Sequence, residues 1–490
     1  MIIKAFYKYL FILLFTIGFT SVQAQEFVMP LQRNALLDPY MPAQKNTFGS
    51  QREKHGVPHT QQLPFFDDFS RSGLYPNDTL WLNNYVYINK TFGINPPSTG
   101  VATFEGLDAN GKAYTAGDQS TSSATTDTLT STYIDLSPYA DADSLYLSFY
   151  YQPQGFGTAE QRLTDSFILQ FHPDSLLRKN KWDDSAWVTV WATPGIPGGQ
   201  DFRQVMIPIR KLSSPNYFHN KFQFRFYAYG HRSGNLDQWH LDYVYVNRGR
   251  TKTKFENHDA DITVEDVAIS KPSGSILNKY YAMPVKQFLA GVANGNNPLA
   301  SSVRVNISNN SISFPEKNVT FGYTVTNVET GQENSFSNSG VNVKALSQQT
   351  FELSNKAEPS LVSGTKTTLL VKTFAKNIPD NFGQNDTATH KQVFADYLAY
   401  DDGTAEGGYG LRGTNIGKVA VKFTLNTPDT LYGIAVHFNQ ANQYVGARSV
   451  NFGVWHKLTA VGAPEKDEFV EKISYVRPEY DGINGFTYFL

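Results

Sequence analysis

The chain has 490 residues, with 42 Lys and Arg against 44 Asp and Glu, a net charge of −2, and no cysteine. This near-balance leaves no electrostatic footprint for nucleic acid or an anionic membrane surface. The lack of cysteine excludes disulfide staples and a lipidated N-terminal cysteine, so stability has to come from hydrophobic cores, of which this length supports about three.

Residues 1–24 read as a signal peptide. Lys4 and Lys8 give a positive start, residues 9–19 are uncharged and apolar, and Val22 and Ala24 place small residues at −3 and −1 of a cleavage site between Ala24 and Gln25. The apolar run is too short to span a bilayer, and no later run approaches the roughly 18 apolar residues a membrane helix needs. The reading is therefore an exported protein without membrane insertion after cleavage. Residues 25–64, rich in proline and amides with no apolar period, predict an extended N-terminal arm. It is either a disordered lead-in or a strap that docks on a partner.

From Phe65 onward, period-two alternation dominates. Leu145, Leu147, Phe149 and Tyr151 share one face, as do Phe222, Phe224 and Phe226, then Val319, Phe321, Tyr323 and Val325, then Val419, Val421, Phe423 and Leu425. Aromatic residues are 14% of the chain and charged residues only 18%, a balance that favours sheets. Turn signals such as Asn110-Gly111 and Ser233-Gly234 separate the runs. The best helical stretch, 276–289, is broken by Pro284.

The fold class is all-β, as tandem β-sandwiches. A jelly-roll-like sandwich is expected over 65–247 and a basic, polar linker over 248–260. An immunoglobulin-like sandwich follows over 261–395. A third, jelly-roll-like sandwich begins at the turn-rich run YDDGTAEGGYG and occupies 396–490; its last residues, GFTYFL, read as an opening strand, so it is expected to be incomplete.

No nucleophile elbow, zinc motif, phosphate loop or dinucleotide fingerprint occurs, which predicts a non-enzymatic protein without catalytic residues or a cofactor. His55 and His59 share i,i+4 spacing but sit in the arm without a nearby carboxylate. The adjacent acids Asp67-Asp68, Asp183-Asp184 and Asp401-Asp402 point to opposite faces of a strand, so neither pair member can join the other across one glycosidic bond. Asp67, Asp68 and Asp242 are candidates for a structural calcium site, by analogy with jelly-roll modules that tie an early acid to one in the last strand; their plainer role is turn capping and edge protection. Asp108-Ala109-Asn110-Gly111 is calcium-like for four residues only and is more simply a hairpin turn. Trp187 and Trp191, read as lying on one strand face with Thr189 between them, could stack sugar rings or fill the core.

The pattern Asp-Ser/Thr-small or aliphatic occurs seven times, where composition predicts roughly two. It marks Thr79, Thr128, Ser144, Ser175, Ser185, Thr387 and Thr430. Structurally it is a turn end followed by a strand start. It also resembles the O-glycosylation motif of envelope proteins in bacteria with a type IX secretion system.

Three runs, TFGINPPSTGVATFEGLDANGKAY (91–114), FRFYAYGHRSGNLDQWHLDYVYVN (224–247) and QVFADYLAYDDGTAEGGYGL (392–411), resemble large exported β-sandwich proteins of those same bacteria. The resemblance spans nearly the whole mature chain. It implies a protein of the periplasm or the periplasmic face of the outer membrane, with an outer-membrane translocon barrel as partner and the sealing of that barrel as function. Related sandwiches also occur in secreted adhesins, which implies the alternative of a cell-surface protein with a glycan ligand. The family brings no catalytic residues with it.

Overall fold

The computed structural model describes residues 25–37, 59–71, 73–115, 123–157, 162–173, 187–196, 198, 200–210, 216–412, 418–439, 449–459, 466–478 and 485–489. Almost all regular structure is β, in tandem sandwiches.

In the first sandwich, one sheet has strands Val188–Pro194, Ser166–His172, Gln223–His231 and Ser123–Thr130 side by side. The other runs Arg203–Pro208, Tyr146–Pro153, Gly234–Asn247, Val101–Gly106 and Tyr87–Asn89, with Phe65–Asp67 added on the far end of Gly234–Asn247. The expected alternation is what closes it. Phe224 and Phe226 are fully buried between the sheets while Arg225 and Tyr227 stay half-buried outside. Phe167 stacks on both Phe226 and Trp239 in this core, with centroids 5.7 and 5.4 Å apart.

The second sandwich faces a sheet of Val267–Lys271, Ser302–Asn309 and Ser347–Ser354 against one of Ala282–Pro284, Thr387–Ala395, Thr367–Lys376, Glu316–Asn327 and Glu333–Lys344. Val319, Phe321, Tyr323 and Val325 are fully buried, as their period required. Here the sequence reading needs two corrections. Pro284 starts a helix rather than breaking one: Val285–Ala293 follows it directly, because a proline's missing N–H and fixed φ cost nothing ahead of the first turn. The stretch 248–260 is not a bare polar linker either. Lys252–Phe255 and His258–Asp261 form a hairpin, and Arg250 is buried, donating to Asp261 Oδ2 at 2.7 Å, Tyr245 O at 2.8 Å and the Ser148 hydroxyl at 2.6 Å. A guanidinium that finds acceptors for most of its N–H groups can be buried despite its charge.

The described strands of the third unit form separate pairs: Gly408–Arg412 with Gln25–Met29 of the arm, Ile434–His437 with Phe486–Phe489, and Val450–Lys457 with Glu468–Val476. The predicted strand through Val419, Val421, Phe423 and Leu425 is absent: the segment joins no ladder, and these side chains are 48–64% exposed. The segment is held by side chains instead of a ladder: the Tyr280 hydroxyl bonds the Thr424 backbone and Phe423 packs against Tyr280 and Tyr400, and alternation makes no strand without a neighbouring strand to pair with. Side chains of the Val285–Ala293 helix dock this unit. Gln287 accepts from Asn426 N and Thr427 N at 2.8 and 3.2 Å, and Lys286 pairs with Asp429 at 2.9 Å.

The start of the arm straps the protein to itself. Gln25–Met29 pairs antiparallel with Gly408–Arg412, and Leu31 exchanges hydrogen bonds with Asn235 of the first sandwich. It crosses the first sandwich over two turns that the sequence marks with glycine. A Cβ at Gly111 would lie 2.2 Å from Asn34 O, and one at Gly234 would lie 2.6 Å from Leu31 O, with both residues at positive φ. Residues 38–58, including His55, lie outside the described residues.

Candidate functional site

Asp67 and Asp68 are neighbours with different surroundings. Phe65–Asp67 is a strand, so Asp67 shares the core face with Phe65. Its carboxylate accepts from Trp81 Nε1 at 2.7 Å and Phe69 N at 2.9 Å, and burial pushes its pKa up to about 7. Each oxygen thus accepts one hydrogen bond from within the first sandwich.

Asp68 instead faces the second sandwich. Its Oδ1 accepts from the Ser70 amide and hydroxyl at 3.1 and 2.6 Å, and the Asn385 amide of the second sandwich faces the carboxylate. Asp242 comes to the same place through a bulge. The register of Gly234–Asn247 against Tyr146–Pro153 slips between Asp242 and Tyr245, and Tyr243 sits at a φ of 56°, a re-aiming that bulges provide. Asp242 Oδ2 accepts from Ser98 N at 3.0 Å, and the Ser98 hydroxyl lies 2.7 Å from Asp68 O and 3.1 Å from Asp242 Oδ1.

The second sandwich contributes Asp266, Asn310, Asp380 and Asn385. Asp266 Oδ2 accepts from Asn310 Nδ2 at 2.7 Å and Asn385 Nδ2 at 3.4 Å, and the Tyr243 hydroxyl and the Asp380 carboxyl also face Asp266. Asp68, Asp242, Asp266 and Asn385 are 0–2% exposed. Burial raises the pKa of all three acids. Asp242 is raised further by the Asp68 carboxylate, and Asp266 by Asp380 and Asp68. Among the described residues none of these three forms an ion pair; the nearby Lys317 is paired with Glu265. Nor do any three His, Cys, Asp or Glu side chains converge at metal-ligand distance.

The outer face of the four-stranded sheet carries a second group. Trp187 and Trp191 do not share a face, as expected from counting pleats. A bulge between Thr189 and Trp191 shifts the register, so Trp191 opposes Leu169 while Thr189 opposes Gln170. Trp191 therefore turns into the core against Phe149 and Tyr151, and Trp187 stays outside against His172. There the Arg225 guanidinium lies over Trp187 at 4.5 Å and Tyr227 at 5.7 Å. Arg225 Nε donates to Gln170 Oε1 at 2.7 Å, and Gln170 Nε2 donates to Thr189 Oγ1 at 3.1 Å. Tyr229 continues the row and is 38% exposed. The result is a polar and aromatic strip across three strands, fixed by cation–π stacking and side-chain hydrogen bonds. Sequence spacing could not reveal it, because its members come from strands about 55 residues apart.

Sequence reading also missed a buried acid pair in the first sandwich. Glu105 N donates to Asp127 Oδ2 at 2.9 Å, Tyr114 donates to Asp127 Oδ1 at 2.6 Å, and Gln238 donates to Glu105 Oε2 at 2.8 Å. Burial pushes Glu105 up to about 7 and raises Asp127 well above the usual range. Neither residue lines the clefts of about 350 and 390 Å³ formed by residues of the arm with the third unit and of the first with the second sandwich.

The other candidates are structural or lie elsewhere. Asp108 accepts from Asn110 N and Lys112 N in a tight turn, and Asp402 accepts from the Thr404 amide and hydroxyl. Of the serine and threonine pattern, Thr79, Ser144 and Thr430 are exposed, and Thr128 and Thr387 are half-buried. Ala24, Ser175, Ser185 and Asp183-Asp184 fall outside the described residues. No helix among the described residues is long and apolar enough to cross a membrane.

No protein-family model and no curated protein matches the chain. Among solved structures it is similar to a β-galactosidase from Bacteroides fragilis described as putative, at 11% identity over 51% of this chain and 32% of that one, with a TM-score of 0.19. A cellulose-specific carbohydrate-binding module matches at 12% identity over 33% of this chain and 80% of that one, with a TM-score of 0.19. A β-glucuronidase of glycoside hydrolase family 2 matches at 8% identity over 68% and 31%, with a TM-score of 0.23. The chain thus spans about a third of the length of the first of these. Such scores carry no argument about function.

Proposed function

We propose that this chain is a non-enzymatic binding protein of the cell envelope that takes a glycan on the outer face of its four-stranded sheet. The observation that carries the reading is the strip of Trp187, Arg225, Tyr227 and Tyr229. Aromatic faces cover the apolar side of a pyranose, and the half-buried guanidinium of Arg225 between them can donate to its hydroxyls. Binding of the mature protein to immobilised polysaccharides, compared with Trp187→Ala and Tyr227→Ala, is the test. Retention of wild type that both variants lose supports the reading; wild type that passes every matrix unretarded removes it.

The second reading, a periplasmic seal of a type IX translocon barrel, draws on the apolar side chains of the third unit. Val419, Val421, Tyr432 and Tyr488 are each 56–83% exposed, and apolar side chains left in water are available to a partner surface. Co-purification with a tagged barrel, and protection from protease added to intact cells, would favour the seal over a surface glycan binder. Surface digestion without barrel association would eliminate it.

A further inference from the structure

The cleft of about 390 Å³ between the first and second sandwiches lies against the three-stranded sheet of the second, and its size falls in the range of about 300–1,000 Å³ found for small-ligand sites. Alternation along Ser302–Asn309 puts Arg304 and Asn306 on the outer face, away from the buried Val303 and Val305. A register shift after Ile269 then sets Lys271 opposite Asn306. Lys271 and Arg304 both line the cleft, and among the described residues the lining holds no Asp or Glu. Neither cation has an ion-pair partner among the described residues. Glu352 lies opposite Arg304 in the strand pair, yet its Oε2 accepts from the Ser302 hydroxyl at 3.2 Å. Asp402 and Glu406 of the third unit act on Tyr281 without pairing with Arg304. Lys271 is half-buried, its Nζ 5.5 Å from the ring centre of Phe156 of the first sandwich, and burial lowers its pKa. A cation that has lost part of its water without gaining a counter-ion is stabilised by an incoming anion.

The uncharged part of the lining is polar and held in place. The Thr350 hydroxyl donates to Asn306 Oδ1 at 2.8 Å, and Gln348 Nε2 donates to Asn95 O and Pro96 O of the first sandwich. A Cβ at Gly274 would lie 3.5 Å from Arg304 Nη2 and 3.9 Å from the Tyr281 hydroxyl, so guanidinium and phenol meet over bare backbone. Among the described lining residues only Pro272 and Gly274 lack a polar side chain. Such a wall suits a ligand that carries hydroxyls on every side and one negative group, and offers nothing to an acyl chain. Nucleic acid draws many cations along its backbone, and this cleft has two. We propose that the cleft binds an acidic glycan, with the carboxylate of a uronic acid residue held by Arg304 and Lys271 and the ring hydroxyls on Tyr281, Asn306 and Thr350. The planar fork of arginine matches a carboxylate in bidentate fashion, which sets the orientation of the sugar. The strip around Trp187 contributes nothing to this lining, so the proposal does not depend on what that face binds.

The experiment titrates the full mature chain by calorimetry at pH 7.5 in low salt with an oligogalacturonate, and with the same oligosaccharide after its carboxyls are reduced to alcohols. Saturable binding of the acidic form is expected, with the reduced form weaker by on the order of tenfold or more, as for loss of a charged hydrogen-bonding partner. Arg304→Gln should weaken binding of the acidic form by a similar factor. Arg304 is exposed, so this variant should keep the wild-type melting temperature, which shows that it folds. Lys271→Gln checks the second cation, and Trp187→Ala should bind the acidic form as wild type does. No binding by wild type, or equal binding of the acidic and reduced forms, overturns the proposal. Binding that Arg304→Gln keeps and Trp187→Ala loses also overturns it, by placing the acidic glycan on the outer sheet face. Full displacement by acetate at an equal concentration of carboxylate does the same, by reducing the cleft to a site for any small anion.

Discussion

Phe382 of the second sandwich stacks on Phe66 of the first, with ring centroids 3.8 Å apart and planes 10° from parallel. Tyr243 and Tyr245 close on the same ring edge-on at 5.5 and 5.1 Å. Phe66 reaches this place because it alternates with Phe65 and Asp67, whose side chains enter the core. One residue of strand period thus separates core from domain junction. Phe382→Ala is expected to cost about 3 kcal/mol, as for other large-to-small changes among buried aromatics. Its signature in calorimetry is a split into two transitions as the sandwiches uncouple. A single transition at the wild-type temperature would mean that the aromatic cluster does not couple them.

Glu105 sets a pH dependence inside the first sandwich. Burial raises its pKa from 4.5 to about 7, so the folded state favours its protonated form more than the unfolded chain does. Its stabilising contribution is complete below about pH 4.5 and is lost as pH rises through about 7. Glu105→Gln keeps an acceptor for Gln238 and removes the ionisation. At pH 8.5 the variant should be more stable than wild type by about 3 kcal/mol, and at pH 4 the two should match. Denaturant midpoints at both values check this, and equal gains at both would show an effect unrelated to charge.

The two tryptophans near one strand should separate function from stability. Trp191 packs half-buried against the core beside Phe149, Tyr151 and Phe167, so Trp191→Ala should lower stability by about 2 kcal/mol. Trp187, on the outer face beneath Arg225, should cost less than about 1 kcal/mol when replaced by alanine but should abolish glycan retention. If Trp187→Ala destabilises as much as Trp191→Ala, its place is structural and the binding face loses its anchor.

Period two was enough to find the sandwiches, because a strand between core and water writes its burial into every second residue, as Phe224 and Phe226 do. It failed where the register breaks. A bulge at Val190 turns Trp187 and Trp191 to opposite faces, and another beside Tyr243 aims Asp242 toward the second sandwich. Neither bulge carries a glycine or other local mark in the sequence. The alternation through Val419 to Leu425 failed for another reason, since a strand needs a neighbour that composition does not reveal. The acids were partly legible: Asp68 and Asp242 stood out as one early and one late acid. Asp266 and Asn385 did not, because only the docking of two domains brings them in.

Arg250 is the residue whose role differs most from its sequence context. It lies in a basic, polar run, yet its side chain is 1% exposed and its Nη2 sits 2.6 Å from Asp261 Oδ2, itself 1% exposed. Its guanidinium also lies over the Tyr245 ring at 4.2 Å, and Tyr245 touches Phe382 across the domain junction. Breaking a buried pair by removing one partner leaves an uncompensated charge and costs about 3–5 kcal/mol. Arg250→Ala and Asp261→Ala should each lose stability in that range, and the double variant should lose far less than their sum. Arg250→Lys should rescue little, because an ammonium cannot reproduce the planar fork that serves Asp261, Tyr245 O and Ser148 together. Urea midpoints of the four proteins decide the matter. Strict additivity in the double variant, or full rescue by lysine, would show that the run behaves as an ordinary solvated linker.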